Sequence, residues 1–329
     1  MRAVFYERQG AAEDVLVFGD LPKPLPAAGE VLVRVHVSGI NPSDIKNRTG
    51  FVSKMAFARI IPHQDGAGVV EAVGAGVPPG RIGERVWIFE AQTGRAGGTA
   101  AEFVAVPSEN AVRLPDATSY EVGASLGVPA LTAHRCLFAD GDLRGRRVLV
   151  QGGAGVVGSA AIQLAKWAGA WVAATVRHPE QKQFAHQAGA DLVLDLNDTD
   201  VAAKIKAETK DAGLDRIVEV DLSSNIEFDL RCLADGGVIA AYSAHDASER
   251  VPVPIVPAMI VNSAVRFVYV YTMPGSAKKA AISDISDCLR TGSYHPRIAM
   301  ILPLSRTVDG HVAVEKGAIG KTLIRVVDD

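Results

Sequence analysis

Along the first hundred positions of the chain, apolar residues come in short runs with a period of two. Glu30-Val31-Leu32-Val33-Arg34-Val35-His36-Val37-Ser38 alternates apolar and polar side chains, the pattern of a half-buried strand. Val69–Gly74, Glu84–Phe89 and Thr99–Val106 read as further strands, with Gly/Pro punctuation at Pro22-Lys23-Pro24, Val77-Pro78-Pro79-Gly80 and Gly97-Gly98. Short strands at this spacing predict a barrel-like β unit. Past Thr118 the pattern changes. An Ala/Leu-rich helical segment over Ser119–Leu137 leads into strands at Arg147–Gln151, Trp171–Val176, Leu192–Leu194, Arg216–Val220, Gly237–Tyr242 and Val265–Tyr271. Helices are predicted at Val157–Ala168, Pro179–Ala188 and Asp200–Thr209. Apolar strands alternating with helices predict a parallel sheet covered on both faces. A helix over Ser276–Leu289 and a strand over Lys321–Val326 complete the reading.

Composition narrows the function classes. With 48% hydrophobic and 22% charged residues, the 329-residue chain has ample apolar surface for two ordinary cores. A net charge of −3 lacks the basic excess of a nucleic-acid binder. Cys136, Cys232 and Cys288 lie far apart with no C-x-x-C, which excludes a disulfide scaffold and a Cys-rich structural zinc site. Charge at Arg2 and Glu7 breaks any signal peptide, and no apolar run is long enough to span a bilayer. The expectation is a soluble cytoplasmic protein.

The chemistry enters at Gly153-Ala154-Gly155-Val156-Val157-Gly158, a G-x-G-x-x-G run that follows a predicted strand and opens a predicted helix. In that context Gly153 permits the turn, Gly155 admits a pyrophosphate to the backbone, and Gly158 lets helix and strand approach. Gly152 precedes the run. Amide N–H groups and the helix dipole there attract phosphates. The next strand ends at Thr175-Val176-Arg177-His178, with no acid before Glu180. A carboxylate at that place reads ribose hydroxyls, whereas a guanidinium pairs with a 2′-phosphate. Arg177 therefore reads either as the mark of an NADPH site or as a solvated residue at a strand end, and the missing acid favours NADPH.

These segments, taken in order, resemble the medium-chain dehydrogenase/reductase superfamily. Asn41-Pro42-Ser43-Asp44 with Arg48-Thr49-Gly50, Pro62-His63-Gln64-Asp65-Gly66-Ala67-Gly68, Gly83-Glu84-Arg85-Val86 and Gly320-Lys321-Thr322-Leu323 are similar to its quinone reductase (zeta-crystallin-like) branch. The resemblance implies a GroES-like β-rich catalytic domain, residues 1–123 and 273–329, around an inserted Rossmann domain, residues 124–272, with a doubly wound parallel sheet. Alcohol dehydrogenases of the superfamily hold zinc with a Cys/His/Cys set. Here Asn41 stands at the first cysteine position and no cysteine falls near Gly127-Val128, so His63 is left without the three ligands a catalytic zinc needs. No metal is expected.

Without a metal, a conjugated acceptor that delocalises the arriving charge is the expected substrate. A quinone leads, an enone, alkenal or enoyl-thioester is the alternative, and a non-catalytic NADPH-binding protein is a third reading. The resemblance places Asn41 beside the nicotinamide, able to donate to an oxyanion. Lys46 reads equally as a stabiliser of an enolate or quinol anion and as a surface lysine. His63 completes the catalytic candidates, although a structural or substrate-lining place suits it better than metal ligation. The resemblance adds cofactor contacts at Thr132, Val220, Tyr242, Ser243, Tyr271 and Lys316. Val265–Tyr271, last in the Rossmann order, is expected to be an edge strand that pairs two copies into a homodimer.

Overall fold

The computed structural model describes residues 1–51 and 54–327. The chain forms two compact units, one from residues 1–128 and 296–329, the other from residues 129–295. The boundaries differ from those expected at 123/124 and 272/273. The Gly275–Arg290 helix packs within the second unit, against the Val156–Trp167 helix, and the His295 N–H donates to Gln163 Oε1 at 2.6 Å.

The first unit is built on a seven-stranded sheet. Its order runs Ile298–Pro303, Lys321–Arg325, Glu30–Gly39, Asp65–Val73, Arg85–Ile88, Ala111–Arg113, with Phe103–Pro107 pairing onto Glu30–Gly39. Strands from residues 30–113 and from residues 298–325 thus meet in one sheet. Glu30–Gly39, read from its alternation as half-buried, is instead covered along most of its length. Two register shifts in its pairing with Asp65–Val73 bend the sheet, as bulges do in barrels. Val31, Val33, Val70, Val86, Ile88, Val104 and Ile324 form the core. The helices Pro42–Thr49 and Thr307–Glu315 belong to this unit and pack on each other.

The second unit is a six-stranded parallel sheet. Its spatial order is Leu192–Asp195, Trp171–Val176, Arg147–Val150, Leu214–Glu219, Leu233–Ala241, Ala264–Phe267. In chain order this is 3-2-1-4-5-6, the doubly wound dinucleotide-binding topology. Leu149, Ile205, Ile217, Ile226 and Ile239 fill one face. The edge strand is shorter than expected. It ends at Phe267, and a turn closed by the Thr272 N–H on the Tyr269 carbonyl takes Val270–Thr272 out of the sheet. Among the described residues no helix is long and apolar enough to cross a membrane.

Candidate functional site

The Gly152–Gly158 loop runs from a strand into a helix, as its spacing predicts. Gly152 takes φ +68° directly after the Arg147–Val150 strand, and Gly155 caps the Val156–Trp167 helix. The first-turn N–H groups of Val156, Val157 and Gly158 have no intrahelical acceptor. A Cβ on Gly158 would lie 2.2 Å from the Gly152 carbonyl oxygen, so only glycine lets the helix start this close to the strand end. Gly153 and Ala154 are buried beneath the loop, while Gly155 is exposed at its tip. Backbone donors at a helix start are of the kind that could hold a phosphate.

Arg177, Val220, Tyr242 and Ser243 all follow the carboxyl ends of strands in this sheet, where doubly wound proteins bind ligands. Val220 lies under the loop, its Cγ1 3.3 Å from where a Cβ on Gly152 would be. Tyr242 is half-buried, and enclosure near Cys136 and Glu219 raises its phenol above the ordinary range. Tyr271 sits in the turn after the edge strand, its ring 5.1 Å from that of Tyr269. Thr132 is buried in the Gly127–Phe138 helix.

Arg177 is not the free guanidinium that the sequence suggested. It pairs with Asp221, a nearly enclosed carboxylate at the end of Leu214–Glu219. His245 Nε2 meets the other oxygen of Asp221 at 2.9 Å. Beneath them, the Gln151 amide donates to Asp229 at 2.8 Å, and Glu219 accepts from the Asp221 N–H and the Asn225 amide. Enclosure, and then the facing Glu219, hold Asp229 protonated well above the ordinary carboxyl range. This buried acid pair ties the loop residue Gln151 to the turn that carries Asp221.

In the first unit, Asn41 precedes the Pro42–Thr49 helix and is buried. Lys321 Nζ donates to Asn41 Oδ1 at 2.6 Å and to Asp65 Oδ2 at 2.9 Å, and Asn41 Nδ2 donates to Asp65 Oδ2 at 2.7 Å. A lysine only donates and a carboxylate only accepts, so the amide orientation is fixed, with one N–H of Nδ2 left over. Asp65 Oδ1 accepts the Val128 N–H at 2.9 Å, and a Cβ on Gly127 would fall 2.0 Å from that oxygen. Asp44 accepts the Asn41 N–H at 2.7 Å. Burial, and then the charge of Asp65, raise Asp44 to about 7.

His63 belongs to a different constellation. Arg48 Nε can only donate, so His311 Nδ1 accepts it at 3.3 Å. His311 Nε2–H then donates to His63 Nε2 at 2.9 Å, His63 Nδ1–H to Ser38 Oγ at 2.8 Å, Ser38 to Thr99 Oγ1 at 2.7 Å, and Thr99 to the Asp65 carbonyl at 2.5 Å. Every donor points the same way. Burial, and then the charge of Arg48, lower His311 to about 3, and burial keeps His63 neutral as well. His63 is fully enclosed with both ring nitrogens engaged. Lys46 lies on the same helix as Asp44, its Nζ 4.6 Å from the centre of the Phe51 ring. Lys316 is exposed at the end of Thr307–Glu315.

Asp65, Lys321, His311, Asp221 and His245 carry much of this architecture, and the sequence reading gave none of them a role. Asp65 and Lys321 sit inside matched motifs, but 256 positions separate them and no local pattern joins them. Asp221 had a local signal, since it follows a strand of the parallel sheet.

Residues 27–116 match the alcohol dehydrogenase GroES-like domain, and residues 156–287 match the zinc-binding dehydrogenase family. The quinone oxidoreductase of Mus musculus is 30% identical over 98% of this chain and 96% of its own length. The solved quinone oxidoreductase of Thermus thermophilus, also determined in complex with NADPH, is 28% identical, covers 99% of this chain and 100% of its own, and superposes with a TM-score of 0.83. An NAD-dependent alcohol dehydrogenase structure, 27% identical with the same coverage, superposes with a TM-score of 0.87.

Proposed function

Because the chain belongs to the medium-chain dehydrogenase/reductase superfamily, in its quinone oxidoreductase branch, and is an oxidoreductase of that type, we propose that it reduces a quinone with hydride from NADPH and without a metal. The observation that carries the metal-free reading is the donor set at Asn41. Its amide is committed to Lys321 and Asp65, both ring nitrogens of His63 are engaged, and all three cysteines lie in the other unit. That set does not fit zinc.

Bound NADPH supplies a hydride to an acceptor that spreads the incoming charge over a conjugated system. The amides of Val156, Val157 and Gly158 hold the pyrophosphate, and Arg177 meets the 2′-phosphate. Thr132, Val220, Tyr242, Ser243, Tyr271 and Lys316 are the further cofactor contacts in this reading. The second N–H of Asn41, in an orientation set by Lys321 and Asp65, donates to the developing oxyanion, and Lys46 offers a positive group. Such pre-oriented donors are worth most where no reorganisation is needed at the moment of reaction.

The same reading gives a homodimer through the edge strand Ala264–Phe267, whose outer backbone groups face no other strand among the described residues. Beside it the Ile255–Ile260 helix exposes Ile255, Val256, Met259 and Ile260, and Phe267 is 76% exposed. A second copy placing its own edge there would cover both features.

NADPH oxidation, followed with benzoquinone, an alkenal and a simple alcohol as separate acceptors, tests the function. Turnover with benzoquinone and not with the alcohol is expected. Faster turnover with the alkenal would move the assignment to double-bond reduction, and no turnover with any acceptor would leave a binding protein. Arg177→Ala should weaken NADPH binding roughly threefold to tenfold, the scale of one charge-assisted contact at a half-exposed site, and leave NADH unchanged. Equal losses for both nucleotides would remove Arg177 from phosphate recognition.

A further inference from the structure

The Trp171–Val176 and Leu214–Glu219 strands are the two neighbours of Arg147–Val150, the strand that delivers the phosphate loop. The ion pair between Arg177 and Asp221 therefore joins the strand ends on either side of that loop. Arg177 is held at both ends. Its carbonyl accepts the Asn197 amide at 2.7 Å, its N–H donates to Gln181 at 3.2 Å, and its guanidinium goes to Asp221. Asp221 is 5% exposed, and the bond to Glu219 holds its backbone.

We propose that Asp221 sets the cofactor preference of this protein, by holding the Arg177 guanidinium that a 2′-phosphate would need, and that protonation of His245 loosens that hold. The proposal rests on the nicotinamide dinucleotide reading given above and adds the residues that decide between the phosphorylated and unphosphorylated forms. Asp221 competes with the incoming phosphate for one cation. Glu249 adds a second negative group, since the donor atoms of Asp221, His245 and Glu249 all lie within 4.8 Å of one another. With His245 neutral, the cluster of Arg177, Asp221 and Glu249 carries one net negative charge, which opposes a dianionic phosphate. With His245 protonated the cluster is neutral, Asp221 has a second cationic partner, and Arg177 can turn to the ligand.

The groups facing His245 are Asp221 from the strand end opposite, Arg177 from the other flanking strand, and Glu249 and Asp246 from its own loop. The bond to Asp221, and then the charges of Asp221 and Glu249, raise His245 above the usual imidazole value of 6.5. Asp221 remains ionised throughout. Its burial works against the charge, but His245, Ser224 and Arg177 outweigh it and hold the carboxyl below its ordinary range.

The test measures dissociation constants of NADPH and NADH for wild type, Asp221→Asn and His245→Gln between pH 6 and 8.5, at low salt with chelator present. Asparagine keeps the shape of Asp221 and is well tolerated at the position before the Leu222–Cys232 helix, which favours a folded variant. At pH 8 Asp221→Asn should bind NADPH roughly threefold to tenfold more tightly than wild type and NADH equally well. The NADPH preference of wild type should exceed that of His245→Gln at pH 6 and match it at pH 8.5. The second ionisation of the phosphate, near pH ~6, affects both proteins alike and cancels in that comparison. A reading free of cofactor comes from the His245 imidazole titration by NMR, whose midpoint should fall in Asp221→Asn. If NADH and NADPH both bind wild type but Asp221→Asn leaves their ratio unchanged, the proposal fails and the cofactor reading stands. If wild type binds neither nucleotide, both fail.

Discussion

Asp44 is buried at the third position of its helix, with Oδ1 unpartnered and Oδ2 accepting the Asn41 N–H. Its carboxyl titrates at about 7 in the folded chain and near 3.8 when unfolded. The folded state therefore holds a proton that the unfolded state has lost, and stability falls as pH rises from about 3.8 to about 7. Each pH unit of that interval corresponds to ~1.4 kcal/mol. Asp44→Asn keeps an acceptor for Asn41 and removes the titration. Denaturant melts at pH 4, 5.5 and 7 should show the variant gaining on wild type at each step, with no further gain above pH 8. A parallel pair of curves would mean that Asp44 is ionised in the fold. Asp44 itself was legible in the sequence only as part of the Asn41-Pro42-Ser43-Asp44 motif. Its raised pKa was not, because that comes from burial and then from the charge of Asp65.

At the scale of elements, the donor chain through Arg48, His311, His63, Ser38 and Thr99 ties two helices to the sheet strands Glu30–Gly39 and Asp65–Val73. His63 precedes its strand at φ +80°, a conformation that costs a non-glycine residue about 1–3 kcal/mol, and the two ring hydrogen bonds offset it. Both imidazoles stay neutral when folded but take up protons below about 6.5 when unfolded. Their contribution is therefore complete above pH 6.5 and is lost as pH falls toward 3, by up to ~1.4 kcal/mol per pH unit for each. His311→Gln can accept from Arg48 and donate to His63 through its amide, and should flatten the acid loss by one proton. His311→Leu leaves Arg48 Nε and His63 Nε2 without partners and should cost about 2–5 kcal/mol at pH 7. Chemical denaturation of the two variants separates them. Equal, small losses would show that the chain contributes little.

For the whole molecule the testable matter is assembly. The Ala264–Phe267 edge is short, and its exposed apolar surface lies on the neighbouring Ile255–Ile260 helix as well as on Phe267. Ile255→Glu together with Ile260→Lys would place charges on that helix while leaving both cores untouched. Sedimentation at micromolar concentration should give twice the mass of one chain for wild type and one chain mass for the double variant, with unchanged far-UV circular dichroism. A wild type that sediments as one chain would overturn the dimer.

What the sequence determined by itself is what short-range periodicity can encode. The β-rich first unit, the alternating second unit and the glycine loop between strand and helix all follow from residues within a few positions of one another. Even so, the sequence offered Arg177 as the mark of an NADPH site or a solvated residue, and His63 as a catalytic candidate, with no partner for either. Their partners, Asp221 at 44 positions and His311 at 248, were chosen by sheet order and by the return of the chain's end into the first sheet. Pairing of that kind depends on which strands become neighbours. Strand order is fixed by the burial of whole faces, so only the tertiary structure decides whether a charge is free to meet a ligand or is already held by the protein.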